Sequence, residues 1–108
     1  MSDIYKMLQE LQNEPSTNKK VEIIEKYKSE EAKLFFTYTL NDVKYGIKKT
    51  PAYTTMIESE INFGDMLVLL DKLSSRELTG NAAIDAVSNL LNKCSEEDAY
   101  VFLCMLQK

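Results

Sequence analysis

The sequence predicts an all-α fold, a compact bundle of about five to six helices. Two observations lead to this prediction. Apolar residues recur at helical spacing in several segments, and polar residues able to cap a helix stand directly before most of those segments. The chain has 108 residues, of which 44% are hydrophobic, which suits the modest core of a single domain. We therefore expect one helical domain over residues 1–108.

Apolar spacing and capping residues predict three helices in the first half of the chain. The first helix carries the apolar set Ile4, Met7, Leu8 and Leu11, and Pro15 ends it. Ser16 or Thr17 can cap a second helix, whose apolar face is the set Val21, Ile24 and Tyr27. Ser29 can cap a third helix, which runs through residues 35–40 although their composition also favours a strand. We expect a short helical turn to follow, as far as Gly46.

The second half predicts a loop and then three helices. Residues 50–61 have poor periodicity and contain Pro51, so we expect a loop there. Asn62 can cap a helix over residues 63–73, with Asp65 completing a capping box. Thr79 or Gly80 begins the next helix, which ends near residue 92, and Ser95 caps the last one over residues 96–107. The core predicted from these helices comprises Leu8, Leu11, Ile24, Leu34, Phe35, Leu67, Leu70, Ile84, Val87, Leu90, Phe102 and Leu106.

The predicted helices form two pseudo-repeated pairs. Residues 16–46 make one unit, and the second unit begins at residue 79. The alignment pairs Asn18 with Asn81, Val21 with Ile84, Ile24 with Val87, Tyr27 with Leu90, Ala32 with Ala99, Leu34 with Val101 and Phe35 with Phe102. Two similar helix pairs would suit a domain that touches both strands of a duplex, although amphipathic helix pairs also resemble one another by chance.

Charge is distributed unevenly along the chain. The net charge is −4, whereas nucleic-acid-binding domains are usually basic overall. Residues 16–50 carry eight lysines against five acidic residues, and residues 51–108 carry four basic against nine acidic residues. A basic segment can therefore face a phosphate backbone while acidic surface points elsewhere. Ordinary solvated helix faces would give the same pattern.

Several classes of function are disfavoured by composition. The chain has no histidine, which argues against a zinc site and against histidine-based acid–base catalysis. Cys94 and Cys104 are not spaced as a metal-binding pair, and we expect two reduced thiols, as in a cytoplasmic protein. No apolar run is long enough for a membrane span, and no signal peptide is recognisable. We expect no catalytic residue, no metal site, no cofactor bound by this chain and no membrane partner.

Three separated segments resemble one known family. The segments ELTGNAAIDA (residues 77–86), YGIKKTP (residues 45–51) and IIEKYK (residues 23–28) occur in the same order as in that family. The chain resembles, from about Ile4 to its end, the N-terminal, all-helical DNA-binding domain of the ATP-dependent DNA ligases of T-even-type bacteriophages. The resemblance implies a domain that holds nicked double-stranded DNA through minor-groove phosphate and sugar contacts. It also implies catalytic domains of the same ligase as partners, with ATP and Mg²⁺ serving those domains.

The resemblance also describes what this chain lacks. A DNA ligase forms an adenylate on a lysine within a KxDG-type motif, and no lysine here is followed by that pattern. In the family, a basic turn with a glycine follows each helix pair and lies against the minor groove. Residues 43–48 supply one such turn, and Lys108 comes before any second one. We therefore expect a domain truncated at its C-terminal end; a natural short relative of the ligases is the alternative.

Three short segments are the candidate DNA contacts. The residues are Thr17, Asn18, Lys19, Lys44, Tyr45, Gly46, Lys48, Lys49, Thr79, Gly80, Asn81 and Ala82. Residues 17–19 and 79–82 begin helices, where free N–H groups attract phosphate; plain N-caps would use the same residues. Lys44 and Lys48 would share a face if their segment were helical, and Gly46 would allow close approach of a sugar–phosphate chain. A solvated loop, with Tyr45 as a core or rim residue, is the alternative for this segment.

Other classes of function remain open at the level of sequence. The acidic half could dock onto a replication partner such as a sliding clamp, and an exposed apolar patch beside residues 56–61 would support that reading. A small helical protein unrelated to ligation is a further alternative. Binding to duplex DNA that weakens steeply with salt would distinguish the ligase-domain reading from both.

Overall fold

The computed structural model describes residues 1–107 and confirms the all-α prediction. Its six helices are α1 (Ser2–Asn13), α2 (Thr17–Lys26), α3 (Glu30–Leu40), α4 (Phe63–Ser74), α5 (Gly80–Asn92) and α6 (Glu96–Leu106). Within residues 1–107 the only β-type pairing is an isolated bridge between Met56 and Ser95. The helices fold into one bundle around a shared core.

Side-chain caps begin four of the six helices, as predicted. Ser16, Ser29 and Ser95 each accept a hydrogen bond from the backbone N–H three residues further on, at 3.4, 3.0 and 3.2 Å. Asn62 and Asp65 form a reciprocal capping box with two bonds of 2.9 Å. Each cap satisfies an N–H group that the helix itself leaves without a partner. These helix starts therefore follow from local chemistry.

Helix α6 contributes five buried residues to the core. Helix α6 packs against α1 and α3, while α1 also contacts α2 and α3, and α4 packs against α5. The buried residues of α6 are Ala99, Val101, Phe102, Met105 and Leu106. Phe35 of α3 is also buried, and its packing supports a helix in a segment whose composition also favours a strand.

The predicted core is largely confirmed, with two errors. Phe35, Leu70, Val87, Phe102 and Leu106 are buried, and the other correctly predicted residues, Leu8, Leu11, Leu34, Leu67 and Leu90, pack against them. Ile24 and Ile84, however, are exposed.

Both errors have a physical reason in how the helices lie. Helix α2 has no buried residue and lies at the edge of the bundle. It turns Ile23 and Tyr27 towards the core, so that Val21 and Ile24 face solvent. Helix α5 buries a stripe four residues apart, formed by Ala83, Val87 and Leu91, and Ile84 lies beside that stripe.

The two helix pairs agree in burial at most aligned positions and differ at others. Ala32 and Ala99 are both buried, and so are Phe35 and Phe102. In the first helices of the pairs, Val21 and Ile84 are both exposed, whereas Ile24 is exposed and Val87 is buried. The difference arises because α5 packs against α4 while α2 packs against α1.

The segment after α3 is not the helical turn that the sequence predicted. Residues 41–50 contain no helix. Gly46 has a φ of +77°, in the left-handed region that stops a right-handed helix. The Tyr45 side chain is buried with 4% exposure, and its hydroxyl donates to the Tyr38 carbonyl at 3.2 Å. Burial of this ring is gained through an irregular path that a helix would not provide.

Residues 50–61 form a loop, as predicted, and the loop is tied to the α5–α6 junction. The Met56 and Glu60 N–H groups donate to the Cys94 and Lys93 carbonyls, each at 2.8 Å. The Thr54 N–H donates to the Asn92 side chain, also at 2.8 Å. These bonds hold the long connection between α3 and α4 against helices that are distant in sequence.

Candidate nucleic-acid interface

A basic groove of about 560 Å³ opens between three parts of the fold. The basic groove is lined by residues 43–48, by Arg76 and by the end of α6 at Leu106 and Gln107. The α4–α5 turn supplies Arg76, and the segment after α3 supplies Lys44 and Lys48. The tertiary structure thus brings cations from two distant segments to one surface depression.

Arg76 contacts the backbone of the lysine segment, the residues 44–49 that carry Lys44, Lys48 and Lys49. Its Nη2 donates to the Lys44 carbonyl at 3.3 Å. A Cβ added to Gly46 would lie 2.5 Å from Arg76 Nη1, so the guanidinium rests where only a glycine leaves room. The φ of Arg76 is +65°, a conformation that costs a residue with a side chain about 1–2 kcal/mol.

The sequence-based selection of site residues did not include Arg76. Two signals could have found it. Arg76 is the only arginine in the chain, beside twelve lysines, and it directly precedes the run ELTGNAAIDA. A guanidinium binds phosphate through two parallel N–H groups, which an ammonium group cannot do.

The three predicted lysines are exposed and pair with no acidic group of the described residues. Lys44, Lys48 and Lys49 make no ion pair within residues 1–107, where the ion pairs join Met1 to Glu31 and Lys26 to Glu10. Because the segment is irregular, Lys44 and Lys48 do not share a helical face; both line the basic groove instead. Lys49 lies next to the groove in sequence and is exposed. Unpaired cations of this kind are available to phosphate oxygens.

Tyr45 belongs to the core. Burial raises the pKa of its hydroxyl above the ordinary value, and its ring supports the segment from below. The neighbouring Tyr38 hydroxyl donates to Asp71 Oδ1 at 2.9 Å. Burial and this bond to Asp71 raise the pKa of Tyr38 to about 12. Both tyrosines therefore stay neutral near pH 7, and the Tyr45 ring has no free face on which a base could stack.

Residues 79–82 begin α5, just after the turn that holds Arg76. Thr79 is the N-cap residue but makes no side-chain cap bond. The N–H groups of Gly80, Asn81 and Ala82 have no partner within a helix by its geometry, and the first turn of α5 contains no acidic residue. Arg76 touches residues 44–46 and lies three residues before Thr79, so it links two of the three predicted segments.

Residues 17–19 are not joined to this surface. Thr17, Asn18 and Lys19 begin α2, and Ser16 caps the Lys19 N–H. No hydrogen bond or ion pair in residues 1–107 connects them to the basic groove. Lys19 shares a cleft with Glu10, Glu14 and Glu22, and these carboxylates lower the local attraction for phosphate. The cap function accounts for this segment without a ligand.

A second depression, of about 620 Å³, lies at the other end of α6. This acidic groove is lined by Met1, Ser2, residues 55–59 and residues 95–98, including Glu58, Glu96, Glu97 and Asp98. Beside these acids, Met56 is partly exposed and Ile57 is 98% exposed. Helix α6 spans 11 residues, or about 16 Å at the helical rise, so the two grooves lie at its opposite ends.

Comparisons with known proteins do not assign this chain to a family. No protein-family model matches it, and no curated protein matches it significantly. No helix in residues 1–107 is long and apolar enough to cross a membrane. Within the same residues, no three histidine, cysteine or acidic side chains lie close enough together to hold a metal ion.

Proposed function

We propose that this chain is a non-catalytic duplex-DNA-binding domain of an ATP-dependent DNA ligase. It would hold nicked DNA through minor-groove phosphate and sugar contacts, while separate catalytic domains of the same ligase, using ATP and Mg²⁺, act on the break in the cytoplasm of the cell. The observation that carries the proposal is the basic groove, which Lys44, Lys48 and Arg76 line together with Gly46 and where none of the three cations pairs with a carboxylate of residues 1–107. The choice of nicked duplex DNA as the ligand of this groove rests on the resemblance of three segments to the phage ligase domain.

The chemistry of the basic groove suits the sugar–phosphate backbone of DNA rather than a particular base sequence. Ammonium and guanidinium groups around a glycine bind phosphates, which position a protein on a duplex but carry no sequence information directly. The start of α5, at residues 79–82, would supply backbone N–H groups to a second phosphate. Few phosphates are neutralised and the rest of the chain is acidic, so we expect affinity in the non-specific range, about micromolar or weaker.

The test is a titration of a fluorescent nicked duplex at several salt concentrations. Replacing Lys44, Lys48 and Lys49 together with alanine should weaken binding and reduce the slope of log K against log salt by about 1–3, since each lost phosphate contact removes about 0.9. Replacing Lys72 and Lys93, which lie outside the groove, is the matched control and should have a much smaller effect. Equal losses from both sets of variants would indicate diffuse electrostatics and would refute a site at residues 44–49.

The same proposal expects no adenylation by this chain alone. Incubation with radiolabelled ATP and Mg²⁺ should leave no nucleotide bound to any lysine after denaturation, because no lysine stands in a KxDG-type motif. A labelled band that survives denaturation would overturn the non-catalytic assignment.

The acidic groove favours a second candidate function, docking of a replication partner such as a sliding clamp. Ile57 is almost fully exposed beside Met56, within a loop that hydrogen bonds hold in place. An ordered, exposed apolar group rimmed by charge is typical of protein-interaction surfaces. Calorimetric titration with a purified sliding clamp should give binding that Ile57→Asp abolishes, while binding to DNA is unchanged. Absence of heat with the unaltered chain at two well-separated temperatures would remove this candidate, since burial of apolar surface changes the heat capacity.

A further inference from the structure

Within residues 1–107, the side-chain hydrogen bond between the lysine segment and the α4–α5 turn comes from Arg76. Residues 41–50 have no helix or strand of their own. Side chains from distant parts of the chain donate hydrogen bonds to this segment. The Arg76 guanidinium donates to the Lys44 carbonyl, and the Gln107 amide donates to the Thr50 hydroxyl. The buried Tyr45 ring fixes the middle of the segment. The path of residues 44–49 is therefore held by the buried Tyr45 ring, by packing of Ile47 against the core and by side-chain bonds, of which Arg76 makes the one to the Lys44 carbonyl.

The conformation of Arg76 fits this role. Its backbone is left-handed, with φ +65°, at a position where helices usually end with glycine. Glycine would adopt this backbone conformation without strain, whereas arginine adopts it with strain and places a guanidinium in the groove. Strained backbone of this kind is concentrated at functional sites.

The guanidinium also keeps free donors. Arg76 has five N–H groups by its chemistry, and only the bond to the Lys44 carbonyl is made within residues 1–107. Its side chain is exposed and makes no ion pair with residues 1–107. The remaining N–H groups lie in the basic groove with Lys44 and Lys48. A planar fork beside two ammonium groups is a suitable arrangement for one phosphodiester.

We infer that Arg76 is the anchor of a phosphodiester site formed with Lys44 and Lys48. It holds the backbone of residues 44–46 in place and offers its free N–H groups to the same phosphate that the two lysines attract. The phosphate-binding part of this inference rests on the proposed function, whereas the anchoring part depends only on the contacts of Arg76 with Lys44 and Gly46.

The experiment compares Arg76→Gly and Arg76→Lys with the unaltered chain and with Lys93→Ala, a control that removes one positive charge far from the groove. Glycine accepts the left-handed backbone, so Arg76→Gly removes the guanidinium without adding strain. Tryptic cleavage after Lys44, Lys48 and Lys49, measured without DNA, should become about tenfold faster in Arg76→Gly, since a lost local contact makes a segment easier to open. It should be unchanged in Lys93→Ala. Unchanged cleavage of residues 44–49 in Arg76→Gly would overturn the anchoring role.

Binding to a nicked duplex tests the phosphate-binding part separately. Arg76→Gly should weaken binding about tenfold, the usual effect of losing a hydrogen bond to a charged group. Arg76→Lys retains the charge and should keep the salt slope while still binding several-fold more weakly, because an ammonium lacks the planar fork. Loss equal to that of Lys93→Ala would overturn the phosphate-binding part. Failure of the unaltered chain to bind any duplex would instead refute the proposed function and this part together, while the cleavage measurement still decides the anchoring part.

Discussion

Replacement of Gly46 with alanine tests the contact on which the basic groove depends. The alanine would have to keep a φ of +77°, and its Cβ would lie 2.5 Å from Arg76 Nη1. The left-handed conformation costs an alanine about 1–2 kcal/mol, and a stiffer unfolded chain offsets about 0.4–1 kcal/mol of this. Because the guanidinium ends a flexible side chain, it would move away and lose its bond to the Lys44 carbonyl, which contributes about 0.5–1 kcal/mol. We expect Gly46→Ala to lower the free energy of unfolding by about 1.5 kcal/mol.

Gly80→Ala provides the matched control. Gly80 also has a positive φ, +57°, but a Cβ there would meet no atom within 4 Å. This variant therefore reports the backbone strain alone, about 1 kcal/mol or less. The difference between the two variants, about 0.5–1 kcal/mol, measures the contact between Arg76 and residues 44–46.

The assay is urea denaturation followed by far-ultraviolet circular dichroism, analysed by linear extrapolation. A third background, Arg76→Ala, completes the design, because Gly46→Ala should then cost only as much as Gly80→Ala. Equal destabilisation by Gly46→Ala and Gly80→Ala in the unaltered chain would refute a stabilising contact between Arg76 and residues 44–46. An effect of Gly46→Ala that is unchanged when Arg76 is removed would refute it as well.

Three further predictions concern the core, a cap and a buried thiol. Phe102→Ala should lower the free energy of unfolding, measured by urea titration, by about 3–5 kcal/mol because the ring is fully buried. The exposed control, Ile57→Ala, should change it by less than about 0.5 kcal/mol, and similar losses in the two variants would contradict the assigned core. Ser95→Ala should cost about 1 kcal/mol by thermal unfolding, because the α6 cap bond is lost, whereas no change would show that the cap is dispensable. Burial raises the pKa of the Cys94 thiol from 9.0 to about 12, so the folded state retains a proton that the unfolded state releases. Stability should therefore fall as pH rises from about 9 towards 12, and the fall should be shallower in Cys94→Ala; identical pH profiles would contradict the prediction.

The sequence by itself determined the helices and most of their boundaries. Ser29, Asn62 and Ser95 act on N–H groups three residues away, and Pro15 follows directly after α1. Such interactions depend on neighbours in the chain, so they are readable from it. Helical periodicity likewise identified Val87 and Phe102 as core residues.

Sequence periodicity could not decide which face of an edge helix is buried. Helices α2 and α5 have similar apolar patterns, yet Ile24 is exposed while its counterpart Val87 is buried. The burial of each position depends on which helices pack against it, α1 for α2 and α4 for α5. An amphipathic pattern predicts that a helix has an apolar face, but packing against neighbouring helices determines which of its residues are buried.

Only the tertiary structure decided the composition of the candidate site. The lysine segment was visible as a run of cations, and the start of α5 as a polar turn before an apolar helix. Arg76 joins them across 32 residues of sequence through its bond to the Lys44 carbonyl, and Gly46 leaves room for its guanidinium. Lys19 likewise shares a cleft with Glu10, which comes from a different helix. Contacts of this kind arise from how the bundle brings distant segments together, and local spacing holds no information about that geometry.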